Sequence, residues 1–526
     1  MRDNFFELGG DSILAIQIVA RSQRAGIKIN PLQFFESLTI EKLAARWQRD
    51  VQDVPVSVNV ADITPLASPI QNWALAHDIA NDEFWNQAVE ISLPFGDANA
   101  AHIEILKKSL AVLCNQHTSL RTSVDQQGIK TIESIDWESI PLEVVKCQSD
   151  SVDVLSAKAK ANKLIHFGGS HQLAAVLFEW SDQTDCSLWI TVNHMAVDAV
   201  SFQTLIDDLA VVWDTLEKCQ TPQLNDAPEF LNWSHFLKQA VDNGQFNDQL
   251  NFWRQVMVSA PPSMTQSAGS AQESHRFEHQ AKWSQLETEK LDQVVGNRIS
   301  VDELLMVALI EAIATEEEPF RIFVERHGRE QMNPNMDFSQ TVGWFTSLFP
   351  VAIGQDTAGL PIAKLIERTK DQLRAVEQQG IGYGALLTYA DESVRRELSG
   401  VFGREVVFNY MGKKATPSQQ QPFSPLGLLE LHRSSTVRPF AALEVNLFHG
   451  QQLELQLNVD TRIWSTSEAS QFTDRFFECL SNAVAYLAED GKDEVAASDF
   501  PLASLGADGL KSLASVLGKN TTGKGG

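Results

Sequence analysis

The chain has 526 residues, 43% of them hydrophobic and 21% charged, which is too long for one ordinary domain and apolar enough to bury large cores. A formal net charge of −26 argues against a nucleic-acid partner, because phosphate binding needs clustered Lys and Arg. No apolar run approaches the about 20 residues that span a bilayer, and the start, Met1-Arg2-Asp3-Asn4-Phe5-Phe6, lacks the apolar stretch of a secretory signal. A cytoplasmic location with no membrane partner is therefore expected. The cysteines (Cys114, Cys147, Cys186, Cys219, Cys479) are scattered with no CxxC pair, so neither a metal site nor a disulfide framework is expected. There is no GxxxxGK[ST] phosphate-binding loop.

Residues 1–50 read as helical. Ile13, Ile16, Ile18 and Val19 give an apolar face after Ser12, which stands where a helix N-cap would, just after two glycines. Pro31 to Phe35 reads as a turn or short helix, and Leu38 to Trp47 as an amphipathic helix. Residues 51–62 lack periodicity and read as a linker. Helix-like and strand-like stretches then alternate from 63 to 490. Ala101 to His117 predicts a helix, Leu188 to Val192 a buried strand running into Asn193-His194, and Phe202 to Trp213 a helix. Val301 to Ile313 predicts a helix, and Arg321 to Val324 a strand that ends at Glu325. Glu405 to Asn409 and Leu453 to Val459 alternate as strands do. A mixed α/β layered architecture follows. From 491 the chain reads as a tail, with a short amphipathic helix over Gly509 to Leu517 and a disordered end.

Taken alone, Gly9-Gly10-Asp11-Ser12 favours a plain N-cap serine. The longer string Phe5-Phe6-Glu7-Leu8-Gly9-Gly10-Asp11-Ser12-Ile13-Leu14-Ala15-Ile16-Gln17 resembles the thiolation (peptidyl carrier) domains of nonribosomal peptide synthetases. The resemblance implies that Ser12 carries a covalent 4′-phosphopantetheine arm whose thiol holds an aminoacyl or peptidyl thioester. An Asp before the Ser resembles the carriers that feed an epimerization domain. Such carriers are four-helix bundles with the serine near the middle. With so few residues before Ser12, the bundle is expected to be truncated and the chain to be a fragment of a longer synthetase.

His194, leaving a strand into a turn, is by itself more readily a hydrogen-bonded structural histidine than a catalyst. Thr191 to Ser201 nevertheless resembles the HHxxxDG motif of condensation and epimerization domains, with His194 at the functional second His and Asp198 at the mainly structural Asp. Further strings resemble epimerization domains in the family's order. They are Pro69-Ile70-Gln71-Asn72-Trp73, Trp85-Asn86-Gln87, His117 to Arg121, Val324 to Glu330 (EGHGRE), Thr341 to Pro350 (TVGWFT), Gly380 to Gly384 (GxGYG) and Phe408 to Gly412 (FNYLG). The resemblance implies two chloramphenicol-acetyltransferase-like lobes in a V-shaped pseudo-dimer. It gives a partial carrier at 1–50, an N-lobe at 63–235, a C-lobe at 236–490 and a tail at 491–526. His194 and Glu325 would then face a tunnel at the seam.

The implied chemistry is inversion at Cα of a carrier-bound thioester, with His194 and Glu325 as an acid/base pair and no pyridoxal phosphate or metal. Which of the two is acid is left open. Asn409 and Tyr410 are candidates to stabilise the enolate oxygen, or are ordinary strand packing. Asn193 replaces the motif's first His, Ala199 its Gly, and Arg326 the Gly beside Glu325. A positive φ at Ala199 would strain the loop. An Arg326 guanidinium turned back on Glu325 would lower its pKa, and one turned outward would not. Two functions are therefore carried: epimerization of the thioester, or a catalytically silent platform that binds the carrier or recruits a tailoring enzyme. The implied partners are an upstream adenylation domain and the rest of the synthetase, a phosphopantetheinyl transferase and a downstream condensation domain.

Overall fold

In the computed structural model the described residues are 3–5, 10, 12–27, 29, 33–34, 37, 39–47, 65–77, 84–125, 128–182, 185–259, 276–296, 299–314, 319–333, 336–354, 357, 359–400, 405–413, 422–427, 429–434 and 439–489. Asp11, the linker expected at 51–62 and the tail expected from 491 lie outside them.

The strands are β1 (Trp85–Ser92), β2 (Thr122–Asp125), β3 (Gly128–Thr131), β4 (Leu142–Cys147), β5 (Leu173–Trp180), β6 (Ser187–Asn193), β7 (Arg276–Lys282), β8 (Phe320–Arg326), β9 (Ser347–Ile353), β10 (Val406–Lys413), β11 (Glu430–Arg433), β12 (Leu443–His449) and β13 (Leu453–Asp460). They form a five-stranded mixed sheet, β11-β1-β6-β5-β4, a six-stranded mixed sheet, β7-β13-β12-β10-β8-β9, and the β2–β3 hairpin. β11 is drawn from the second half of the chain but pairs antiparallel with β1 of the first sheet, Arg433 opposite Trp85. That crossing places a residue from late in the sequence beside the end of β6.

One core lies on the face of the first sheet covered by the helices Ala100–Gln116 and Ala199–Glu217. Another lies under Val152–Leu164 on the opposite face. The largest core joins the second sheet to Val301–Ile313 and Thr466–Glu489. Val301–Ile313 buries Leu304 to Ile310 on every face, as a helix at the centre of a core does. Its start is fixed by a capping box, Ser300 with Glu303.

At the N-terminus, the first helix is Ser12–Arg24. Ser12 is thus the first helical residue rather than the residue before it. Ala15 and Val19 pack with Ile29 and Phe34 into a small separate core, and Phe5 meets Phe34 edge-on at 5.0 Å. Ile16 is buried as expected, whereas Ile13 lines a cavity instead of the helix's own core. A Cβ on Gly10 would lie 2.4 Å from the Phe5 ring, so close passage of this loop requires glycine. Arg24 pairs with Asp207 and, at 3.0 Å, with Asp208, while Gln23 bonds Asp337 at 2.6 Å and Gln340 at 2.7 Å. These contacts hold the Ser12 helix against the large domain.

Gly328 has φ +65°, and a Cβ there would lie 1.8 Å from the Phe345 carbonyl oxygen. Gly328→Ala is expected to cost about 2–4 kcal/mol, from left-handed strain plus backbone overlap. A lowered urea midpoint at unchanged slope is the result to look for.

Candidate active site

A cavity of about 450 Å³ is lined by Gly10, Ser12 and Ile13 at one end of the chain and by His194, Glu325 and Arg433 from three separate strands or their ends. The cavity therefore lies between the two sheets and the Ser12 helix. A second cavity, of about 510 Å³, shares Thr346 with it and is lined by Trp344.

His194 follows the last residue of β6, and its N–H donates to the Trp85 carbonyl at 2.9 Å. Its ring lies 4.7 Å from the Trp85 ring and 4.4 Å from the Trp344 ring. Nδ1 is 2.9 Å from the Val197 carbonyl oxygen, an acceptor only, so Nδ1 carries the proton and donates. Nε2 is then the lone-pair nitrogen, and the Gln87 amide nitrogen donates to it at 3.0 Å. Burial, with the Arg433 charge, pushes the imidazole pKa down to about 4. At neutral pH His194 is a neutral proton acceptor.

Glu325 sits on β8, in register with Asn409 of β10, which is in register with Asn446 of β12. In parallel strands, residues in register share a face, and all three line the cavity. Burial, together with the nearby Glu444 carboxylate, pushes the Glu325 carboxyl up to about 7, against the opposing effect of Arg433. The ion pairs around it explain why Glu325 stands apart. Asp198, Asp302, Glu303, Glu325 and Glu444 all line the cavity. Asp198 pairs with Arg329, Asp302 with Arg326, Glu303 with Arg374 and Glu444 with Arg433. Among the described residues, Glu325 is the cavity carboxylate with no ion pair of its own.

The replaced motif positions have definite fates. Asn193 is buried, and its side-chain oxygen accepts from the Met195 N–H at 2.9 Å, so it braces the turn that carries His194. Ala199 opens its helix with no positive φ, so its Cβ brings no strain. The Arg326 guanidinium donates to Asp302 at 2.7 Å and to the Glu325 backbone carbonyl at 3.3 Å, so its ion pair is with Asp302 and not with the Glu325 carboxylate.

Asp198 caps the helix Ala199–Glu217 through the Ser201 N–H at 2.9 Å. It also takes Arg329 at 2.8 and 3.0 Å and the Phe345 N–H at 3.2 Å. Those bonds consume its carboxylate in joining the His194 turn to the segment after β8. Asn409 donates to Asn446 at 3.3 Å, and the Tyr410 hydroxyl meets His449 Nδ1 at 3.2 Å. Both line the cavity although neighbours in a strand point to opposite faces. The pairing of β10 with β12 is regular through Tyr410 and shifts only between Tyr410 and Lys413.

Gln87, Arg433 and Glu444 line the same cavity and are not singled out by the motifs as site residues. Gln87 falls within the Trp85-Asn86-Gln87 string, so its alternation with buried Trp85 is a signal. Neither Arg433 nor Glu444 stands in a motif string, and the position of Arg433 depends on β11 pairing with β1 of the first sheet.

A condensation-domain family matches residues 60–505, and a phosphopantetheine attachment site matches residues 2–47. One linear gramicidin synthase protein of Brevibacillus parabrevis is 28% identical over 96% of this chain, which covers 10% of that protein. Another protein of the same synthase is 30% identical over 78% of this chain, which covers 5% of that protein. The solved epimerization domain from the third module of tyrocidine synthetase B superposes with a TM-score of 0.69 at 20% identity, over 82% of this chain and 97% of that one. The first condensation domain of the calcium-dependent antibiotic synthetase superposes with a TM-score of 0.62 at 13% identity, over 81% of this chain and 97% of that one. Both likenesses show the fold, the mixed α/β arrangement expected from the motifs. The chain belongs to the condensation-domain family of nonribosomal peptide synthetases, with a phosphopantetheine attachment domain ahead of its condensation-type domain.

Proposed function

We propose that this chain epimerizes the Cα centre of an aminoacyl or peptidyl thioester carried on a phosphopantetheine arm at Ser12. The observation that carries the proposal is that Ser12, His194 and Glu325 line one cavity. The arm fits the residues present: Ser12 is half-buried at a helix start, with the cavity directly beside it. When bound, the arm supplies a thioester, whose carbonyl acidifies the neighbouring Cα–H.

His194 Nε2 accepts that proton at one face, with Gln87 giving way. Glu325, held partly protonated at neutral pH, returns a proton at the other face. In the reverse direction Glu325 accepts and His194 gives. The Trp85 and Trp344 rings both pack against the imidazole and against each other. Asp198 and Arg329 position the His194 turn and touch no substrate. We assign the lobes to 63–235 and 236–490, and we place the chain in the cytoplasm, consistent with the lack of a membrane-length apolar helix among the described residues. An upstream adenylation domain, a phosphopantetheinyl transferase and a downstream condensation domain are the partners this reading requires.

The test is chirality. The complete synthetase module, loaded with an L-aminoacyl arm and then hydrolysed, is expected to release a D/L mixture. Release of L alone would support the silent-platform reading instead.

Docking gives a second expectation. Arg24→Glu would face Asp207 and Asp208 with like charge and release the Ser12 helix. Ser12 should then be loaded about tenfold faster by a phosphopantetheinyl transferase, and Cα exchange should slow by about the same factor. Equal loading of both chains would rule out these contacts as the docking clasp.

A further inference from the structure

We infer that Arg433 is a further catalytic residue of this site, the donor that receives the carbonyl oxygen of the acyl thioester as negative charge builds on it. The inference rests on the proposed epimerization. Its substrate class is an acyl thioester, and the atom it binds is the carbonyl oxygen.

The geometry supplies each requirement. Arg433 has a side chain only 7% exposed, lines the cavity and stands opposite Trp85 in the β11–β1 ladder. Trp85 in turn touches His194. The guanidinium lies over the Trp85 ring at 4.6 Å and the Phe440 ring at 4.9 Å, which fixes its plane. Its Nη1 and Nη2 donate to the two Glu444 oxygens at 2.9 and 3.0 Å. Those bonds use two of the about five N–H donors a guanidinium carries, so further donors remain for a ligand. Glu444 is itself held by Asn458 at 3.4 Å, so the cation is anchored before any substrate arrives. Of the other candidates, the Tyr410 hydroxyl meets His449 and Asn409 spends one of its two N–H donors on Asn446, and neither carries a charge.

The step balances without an oxidant or a further reactant. The Cα–H bond breaks and the proton passes to the accepting member of the His194–Glu325 pair. The bond's electron pair becomes the second bond between Cα and the carbonyl carbon, while the carbonyl π pair moves onto oxygen. Arg433 donates a hydrogen bond to that oxygen and keeps its own proton. Return of a proton to Cα from the other member restores the carbonyl. The groups facing Arg433 are Glu444, Glu325 and His194, so its replacement also alters their titration. The test therefore separates rate from pH dependence.

Two variants are needed: Arg433→Lys, and the double variant R433Q/E444Q, which exchanges the buried ion pair for an amide pair and leaves no lone buried charge. The first readout is the plateau rate of Cα deuterium uptake across pH. The double variant should lose about 10²–10³-fold at the plateau, and Arg433→Lys should recover part of it. The second readout is binding to the unloaded chain, by calorimetry, of a pantetheine conjugate ending in an aminophosphonate anion against one ending in a neutral amide. The native chain should prefer the anion about tenfold or more, and the double variant should show no preference. A shifted pH profile at an unchanged plateau, with the anion preference intact, would overturn Arg433 as the oxygen donor while leaving epimerization standing. Absence of uptake in the native loaded chain would overturn epimerization, and the anion preference alone would then decide whether Arg433 is an oxyanion site.

Discussion

Replacing Glu325 by Gln is expected to slow Cα–H exchange by about 10²–10⁴-fold, the ordinary contribution of one positioned acid or base. His194→Ala should cost a similar factor. Glu325→Gln keeps the side chain's shape and removes only the proton it takes and gives. The pH dependence adds a sign. The pair holds one proton between the His194 pKa of about 4 and the Glu325 pKa of about 7. Below that window both are protonated and no base remains; above it both are deprotonated and no acid remains. Exchange should therefore rise through about 4 and fall through about 7, values that belong to the pair. In Glu325→Gln the upper limb should vanish. An unchanged upper limb in that variant would assign it to another group.

The second large effect is on stability. Arg329 is buried and joins Asp198, Ser201 and the carbonyls of Phe338 and Thr341. Its guanidinium also lies 4.0 Å from the centre of the Phe345 ring. Arg329→Met would fill much of the space but leave Asp198 as a buried carboxylate without its cation. Breaking one side of a buried pair costs about 3–5 kcal/mol. The expected result is a large drop in the urea midpoint, with loss of the His194 turn. A companion variant, D198N/R329M, removes both charges and should recover a good part of the loss. If the single and double variants lost the same stability, the pair would not be what joins these segments.

How much of this is legible in the sequence depends on distance along the chain. The helix Val301–Ile313 is found at its expected bounds, because Ser300 and Glu303 mark its start and Leu304 to Ile310 is an unbroken apolar run. The strand that runs into His194 is equally plain, since Leu188 to Val192 is apolar almost throughout and buried on both faces. The strand at Arg321 reads shorter than it is, because its ends, Phe320 and Arg326, do not alternate. The inward face of the Ser12 helix is only partly legible. Ile13 reads as core by spacing, yet it faces the cavity, a surface that exists only once the helix docks on the large domain. The site divides the same way. His194, Asp198, Glu325, Asn409 and Tyr410 stand in motif strings, and all line the cavity. Arg433 and Glu444 stand in none; for Arg433, nothing local shows that a short strand at 430–433 pairs with β1, and Glu444 becomes a site residue only through its ion pair with Arg433. The direction of Arg326 is equally hidden, since its partner Asp302 lies 24 residues away on a different element.

On the proposed function, the cavity shared by Ser12, His194 and Glu325 exchanges the Cα proton of a carrier-bound thioester. The most direct measurement is deuterium uptake at Cα in D₂O, with the complete module loaded separately with the L- and the D-aminoacyl arm. Uptake from both, converging on one D/L ratio, is the predicted result. An arm that stays fully protonated at Cα from either starting isomer would contradict it.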